Sequence, residues 1–74
     1  MQLSKLTVNK TAIIKRINLD GKVLARLNSL GITVGAKIKV IRKAPLGDPI
    51  EIEVRGYTIA VRRQTLSKIE VIKV

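Results

Sequence analysis

The sequence contains no cysteine and no histidine. Without cysteine there is neither a disulfide nor a thiolate metal site, which agrees with a reducing compartment without proving one. Without both residues no Ser–His or Cys–His nucleophile pair exists, so Ser4, Ser29 and Ser67 lack an activating base. Transition metals favour imidazole and thiolate donors, which are absent. We therefore predict no catalytic residue, no metal-ligating residue and no cofactor.

Aromatic residues and long apolar runs are also scarce. Tyr57 is the single aromatic residue, and no apolar run approaches the roughly 20 residues that span a bilayer. The opening segment, residues 1–6, lacks the apolar region of a secretion signal. These features predict a soluble, cytoplasmic protein that does not insert into a membrane.

Acidic residues are few as well: the chain has five Asp and Glu and fifteen Lys and Arg, which gives a net charge of +10. Residues 1–43 carry most of the excess, since Asp20 is their only acid. The electric field of this positive charge attracts an acidic protein, nucleic acid or an anionic membrane face. The alternative is a solvated surface that binds no specific partner. The candidate basic surface consists of Lys37, Lys39, Arg42 and Lys43.

The 74 residues leave room for a single domain, 1–74. β-Branched residues dominate its apolar half, which favours strands. The clearest pattern is a hairpin from Pro49 to Arg63, where apolar and polar residues alternate on both sides of an Arg55-Gly56 turn. Pairing Val54 with Tyr57 sets Ile52 opposite Ile59 and Ile50 opposite Val61, and it places Glu51 diagonal to Arg62 as a surface ion pair.

Further strands are predicted over residues 11–17, 36–42 and 69–74, although the adjacent Ile13 and Ile14 leave the buried face of the first one uncertain. A helix is predicted from Asp20, as N-cap through its carboxylate, to about Leu30. Its apolar stripe is Val23, Leu24, Leu27 and Leu30, which we expect to be mostly core. Gly31 is expected in the left-handed position that ends a helix, with Ile32 packing back on Leu27. A helical turn is predicted near 64–68.

These elements predict a mainly β fold. Five short strands and one helix cannot bury both faces of a flat sheet, so we expect a small barrel that removes its open edges, with the helix at one end. No repeats, linkers or low-complexity segments interrupt it.

The most specific motif is the loop Ala44-Pro45-Leu46-Gly47-Asp48-Pro49, followed at fixed spacing by Val54-Arg55-Gly56-Tyr57 and Val61-Arg62-Arg63. With the preceding Leu30-Gly31 and the opening Leu3-Ser4-Lys5-Leu6, this pattern resembles the ferrous iron transport protein A (FeoA-like) family over nearly the whole chain. Val8-Asn9 and Val34-Gly35 stand where that family commonly has Pro-Gly turns.

The resemblance implies an SH3-like barrel that supports ferrous iron uptake, a transition-metal transport process. It implies a partner as well, the cytoplasmic GTP-binding part of a membrane ferrous iron transporter. Kinship with the C-terminal SH3-like domain of iron-dependent repressors is also implied.

The simplest interpretation of the loop is a connection between two strands, stiffened by two prolines and by an Asx-type turn at Asp48. Because rigid exposed loops often bind partners, we also treat it as a contact surface. A partly covered helix stripe would add to this surface, whereas Arg62 and Arg63 are expected on opposite strand faces. The candidate partner-binding residues are Leu24, Arg26, Leu27, Ala44, Pro45, Leu46, Gly47, Asp48, Pro49 and Arg62.

Two functions remain open. The first is a regulatory module that docks on the transporter, and the second is a nucleic-acid-binding barrel. The lack of stacking aromatics argues against single-strand recognition, where each base–aromatic contact contributes about 1–3 kcal/mol. Membrane attraction through Lys5, Lys10 and Lys15 is weaker because no exposed amphipathic helix accompanies them. Homo-oligomerisation is left open.

Overall fold

The computed structural model describes residues 1–74 and contains a five-stranded antiparallel sheet. A 3-10 turn at Leu3–Lys5 precedes β1 (Thr11–Ile17), α1 (Gly21–Ser29), β2 (Lys37–Lys43), β3 (Ile50–Val54), β4 (Tyr57–Val61), α2 (Arg63–Leu66) and β5 (Ile69–Lys73). The strand order in the sheet is β4-β3-β2-β1-β5. The predicted succession of strands and helix is confirmed, and neither helix has the length and apolarity needed to cross a bilayer.

The β3–β4 hairpin has the predicted register. Val54 pairs with Tyr57, Ile52 with Ile59 and Ile50 with Val61. The turn residues Arg55 and Gly56 both have positive φ angles, 53° and 82°. This is the type I′ geometry, whose twist matches that of the flanking strands. The register therefore buries every apolar residue of β3 while Glu51 and Glu53 face outward.

One core of fourteen residues fills the space inside the curved sheet. Its members are Leu3, Leu6, Ala12, Ile14, Leu27, Ile32, Ile38, Val40, Ile50, Ile52, Val54, Leu66, Ile69 and Val71. In β1 the inward residues are Ala12 and Ile14, so the structure assigns Ile13 to the outer face. A register shift between Ile14 and Arg16 returns the partly buried Ile17 to the core side.

The first six residues belong to the core, which the sequence pattern did not predict. Leu3 and Leu6 are fully buried. The Met1 ammonium donates to the Val71 carbonyl (3.1 Å), and the Val71 N–H donates to the Met1 carbonyl (2.8 Å). Residues 1–2 therefore cover part of the outer edge of β5.

The edges of the sheet are not removed, contrary to the prediction of full closure. β4 and β5 lie at opposite ends of the strand order and do not pair with each other. The segment connecting them is the short helix α2, which contributes the buried Leu66. The barrel is therefore closed by side chains at this seam, while β4 keeps a free edge.

The C-terminal end of α1 has the predicted Schellman geometry. The Ile32 N–H donates to the Leu27 carbonyl (2.9 Å) and the Gly31 N–H to the Asn28 carbonyl (3.0 Å). Gly31 has a φ of +93°, a conformation that side chains disfavour. The predicted capping by the Asp20 side chain is wrong: the residue is the N-cap, but its carboxylate accepts no hydrogen bond from the helix.

Gly31 also lies beneath the side chain of Arg55. A Cβ at position 31 would approach the Arg55 Cδ to 3.0 Å, whereas one at Gly35 (φ +91°) would meet nothing within 4 Å. Since a left-handed non-glycine residue costs about 1–2 kcal/mol, Gly35→Ala should lower the free energy of unfolding by about that amount. Gly31→Ala should cost more, because Arg55 must move as well. Urea unfolding measures both, and equal losses would contradict the packing contribution.

Candidate docking surface

An apolar groove of about 510 Å³ separates α1 from β4. We call it the α1–β4 groove. One wall consists of Val23, Leu27 and Leu30 from α1, and the other of Ile59 and Val61 from β4. Because α1 projects its apolar stripe toward the open seam of the sheet, the stripe is only partly covered. The groove therefore presents unfilled apolar surface to solvent.

The prediction that the helix stripe is mostly core is wrong. Only Leu27 is buried, while Val23 is 50% exposed and Leu30 is 41% exposed. The partly covered stripe, considered as the alternative, is what the structure shows. Leu24 does not join it: this half-buried residue lines a separate groove with Lys15, Arg16 and Ile17.

Arginines flank the groove. Arg26 of α1 and Arg62 at the end of β4 both line it, and Arg26 takes part in no ion pair. Arg62 contacts Asp48 at 3.8 Å with its own side chain largely exposed, a pair that stabilises the fold by about 1 kcal/mol or less. The rim of an apolar groove is therefore positively charged.

The loop Ala44 to Pro49 adjoins the groove through Arg62. The Gly47 N–H donates to the Ala44 carbonyl (2.7 Å) and the Ala44 N–H to the Pro49 carbonyl (3.1 Å), which holds the loop as a compact turn. Its tip is Leu46, whose side chain is 92% exposed. A rigid loop with a solvated apolar tip is suited to contact a partner.

Asp48 anchors this loop differently from the prediction. Its Oδ1 accepts a hydrogen bond from the Arg63 backbone N–H (2.9 Å), fifteen residues further along the chain, instead of closing a local Asx turn. The predicted Glu51–Arg62 ion pair is also wrong, because Glu51 pairs with Arg42 (3.1 Å). Arg62 and Arg63 do not share a strand, since β4 ends at Val61 and α2 begins at Arg63.

The predicted basic surface divides into two parts. Lys37 and Lys39 follow one another on the outer face of β2 and line a shallow depression with Arg55. Arg42 is engaged by Glu51, and the Lys43 ammonium lies 3.5 Å from the Ser4 carbonyl. No lysine of the chain takes part in an ion pair. Within the predicted basic surface, only Lys37 and Lys39 make no side-chain hydrogen bond or ion pair, and Glu53 lines the same depression.

The sequence did not predict the β4 side of the groove, which consists of Ile59, Ala60 and Val61. No local signal could have identified it, because only the strand order shows that β4 is an edge strand. The chain has no group of three or more His, Cys, Asp or Glu that could hold a metal ion.

The fold and this surface define a small SH3-like β-barrel that carries an apolar groove, a basic rim and an exposed leucine. The chain belongs to the FeoA domain family, whose model matches residues 1–73. A relative in Porphyromonas gingivalis, an Fe(2+) transport protein A/Fe(2+) transporter FeoB fusion protein, is 35% identical over 71 residues. That match covers 96% of this chain but only 8% of the fusion protein.

Solved structures support the same assignment. The FeoA protein of Chlorobium tepidum is 41% identical, with a TM-score of 0.91 over 96% of this chain and 68% of that one. The zinc-complexed FeoA of Stenotrophomonas maltophilia, described as a prokaryotic SH3 domain protein, is 25% identical, with a TM-score of 0.82 over 97% and 89%. The predicted family and SH3-like fold are therefore confirmed.

A manganese-dependent transcriptional repressor shares the fold as well. The likeness has a TM-score of 0.88 at 20% identity and covers all of this chain and 41% of the repressor. At that identity it shows a common fold and nothing about function.

Proposed function

We propose that this protein is a non-enzymatic, cytoplasmic accessory module of ferrous iron uptake, which regulates the membrane transporter by docking on its cytoplasmic GTP-binding part. The observation that carries the proposal is the fused relative, in which an FeoA segment and a ferrous iron transporter share one chain. Because the two segments share a chain in that relative, we expect this FeoA domain to contact a ferrous iron transporter as well.

The groove and the loop supply the surface that such docking needs. Protein interfaces commonly have an apolar centre with a polar rim, and the α1–β4 groove with Arg26 and Arg62 has this composition. Leu46 at the tip of the neighbouring loop adds an apolar anchor. The net charge of +10 would speed encounter with an acidic surface more than it would strengthen the final complex.

The test compares two variants in binding to the soluble cytoplasmic domain of the cognate transporter. Leu46→Ala removes the anchor at a fully solvated position, so folding should survive while affinity falls about tenfold, equivalent to about 1.4 kcal/mol. The double charge reversal Lys37→Glu/Lys39→Glu lies on another face and should change affinity less than threefold. Loss of binding in the double reversal alone would contradict docking through the loop.

A nucleic-acid-binding module remains the second candidate, and the free Lys37–Lys39 pair beside Arg55 is the observation that favours it. Phosphate binding of this kind weakens steeply as salt rises. The single aromatic residue, Tyr57, offers at most one stacking platform. Under this alternative the double reversal abolishes binding to generic RNA and Leu46→Ala leaves it unchanged.

A further inference from the structure

The free edge of β4 presents backbone groups that have no partner. The type I′ turn makes Val54 and Tyr57 a hydrogen-bonded pair. In an antiparallel ladder such pairs alternate with pairs that do not exchange hydrogen bonds, so Tyr57, Ile59 and Val61 direct their N–H and C=O groups toward β3. The backbone groups of Thr58 and Ala60 consequently point away from the sheet.

Nothing in the chain satisfies these outward groups. No backbone hydrogen bond outside the regular elements, and no side-chain hydrogen bond, involves Thr58 or Ala60. Both residues are exposed. Two N–H donors and two C=O acceptors therefore form a short template for a further strand.

The template lies along the apolar groove. Ala60 lines the α1–β4 groove together with Ile59 and Val61, so a strand paired with β4 would run between that edge and α1. Its side chains would alternate, and those on one face would contact the half-exposed Val23 and Leu30 of the helix. Other side chains of the same segment would reach Arg26 and Arg62, which line the groove.

We propose that the α1–β4 groove binds its partner by strand addition: an extended acidic segment pairs with β4, inserting alternate apolar side chains into the groove and placing carboxylates beside Arg26 and Arg62. Main-chain hydrogen bonds then supply affinity and the groove selects side chains, as in other β-augmentation complexes. The identity of the partner as the transporter rests on the proposed function; the binding mode does not.

A second copy of the chain is a poor occupant of the same edge. Antiparallel pairing of two β4 strands about a two-fold axis would set the start of one strand against the end of the other. Arg55 precedes β4 and Arg62 follows it, so each end of the pair would bring arginines together. Each copy also carries a net charge of +10, and like charges oppose association. Charge complementarity therefore favours an acidic segment.

Proline at position 60 tests the hydrogen bond directly. Ala60→Pro removes the outward N–H without removing a β3–β4 hydrogen bond, and prolines are tolerated on edge strands. Ala60→Val keeps the N–H and serves as the matched control. We expect Ala60→Pro to lower affinity at least tenfold, and Ala60→Val less than threefold, for the transporter domain and for a synthetic heptapeptide of alternating glutamate and valine.

Amide hydrogen exchange of the wild-type protein gives a second readout that does not depend on the variants folding. In the free protein the Thr58 and Ala60 amides should exchange fast, and on saturation with the peptide or the domain both should become protected. Exchange that stays fast with the domain bound and with about 1 mM peptide, which would detect binding of about −4 kcal/mol, overturns strand addition.

The two readouts separate this inference from the proposed function. If the transporter domain binds but Ala60→Pro binds as tightly as wild type, strand addition fails and the transporter assignment stands. If the peptide protects Thr58 and Ala60 while the transporter domain does not bind, the groove is a strand-addition site for another acidic protein and the proposed function fails.

Discussion

Ile52→Ala is expected to lower the free energy of unfolding by about 2–5 kcal/mol, the range for removing a large aliphatic side chain from a packed core. Ile52 is fully buried in the middle of β3, where it faces Val40 of β2 on one side and Ile59 of β4 on the other. A 74-residue domain buries only about 60% of its unfolded surface and has little stability in reserve. The variant should therefore be largely unfolded at moderate temperature.

The matched control is Ile72→Ala on β5. Ile72 points to the outer face and is 55% exposed, so its loss should change the free energy of unfolding by about 0.5 kcal/mol or less. Urea unfolding followed by circular dichroism measures both variants. Comparable losses at the two positions would mean that the core does not lie inside the sheet, and would contradict the fold described here.

Val23→Asp is expected to reduce affinity for the transporter domain at least tenfold while leaving the fold intact. Val23 is half exposed in the α1–β4 groove, so a carboxylate there replaces apolar contact surface. Position 23 is also three residues before Arg26, so the new carboxylate can pair with the Arg26 guanidinium and compete with an acidic partner for it. Because position 23 is in the first turn of α1, an acidic residue agrees with the helix dipole.

Val8→Asp provides the control, since Val8 is 42% exposed and lies outside the groove. The two variants make the same change of charge and a similar change of exposed apolar area, so a general electrostatic effect would lower binding equally. Isothermal titration of each against the domain gives the comparison. Equal losses would show that net charge, and not the groove, determines docking.

Local signals predicted the hairpin and the end of α1 because their causes are local. Strict alternation around Arg55-Gly56 admits one register that buries Ile50 and Ile52, since a slip of one residue would expose both. A glycine that follows the last apolar residue of a helix, as Gly31 follows Leu30, adopts the left-handed conformation that ends the helix. This signal does not depend on the tertiary surroundings. Both features are determined within about fifteen residues of sequence.

Features that depend on distant partners escaped prediction. Helical periodicity placed Val23 and Leu30 beside Leu27, but their burial depends on whether another strand lies against β4, and none does. Asp48 is a common turn residue, yet its acceptor role involves the Arg63 N–H across the fold. Leu3 and Leu6 carry no strand or long-helix pattern, and they are buried because the 3-10 turn packs against α2 and β5.

Part of the candidate surface was therefore accessible from sequence. The loop tip Leu46, the helix residues Arg26 and Leu27, and Arg62 were all predicted, and the structure brings them to one side of the molecule through the Asp48–Arg62 contact. The other wall of the groove required the sheet order, because an edge strand cannot be distinguished from a central one by alternation alone.

The most direct test of this account is a titration of the protein with the soluble cytoplasmic domain of its cognate ferrous iron transporter. Generic RNA is titrated in parallel at about 150 mM salt, where surface attraction is screened within about 8 Å. If the protein docks on the transporter, saturable binding to the domain and little binding to RNA are expected. Strong, salt-sensitive RNA binding with none to the domain would contradict it and leave a basic barrel of the FeoA family with a nucleic-acid partner.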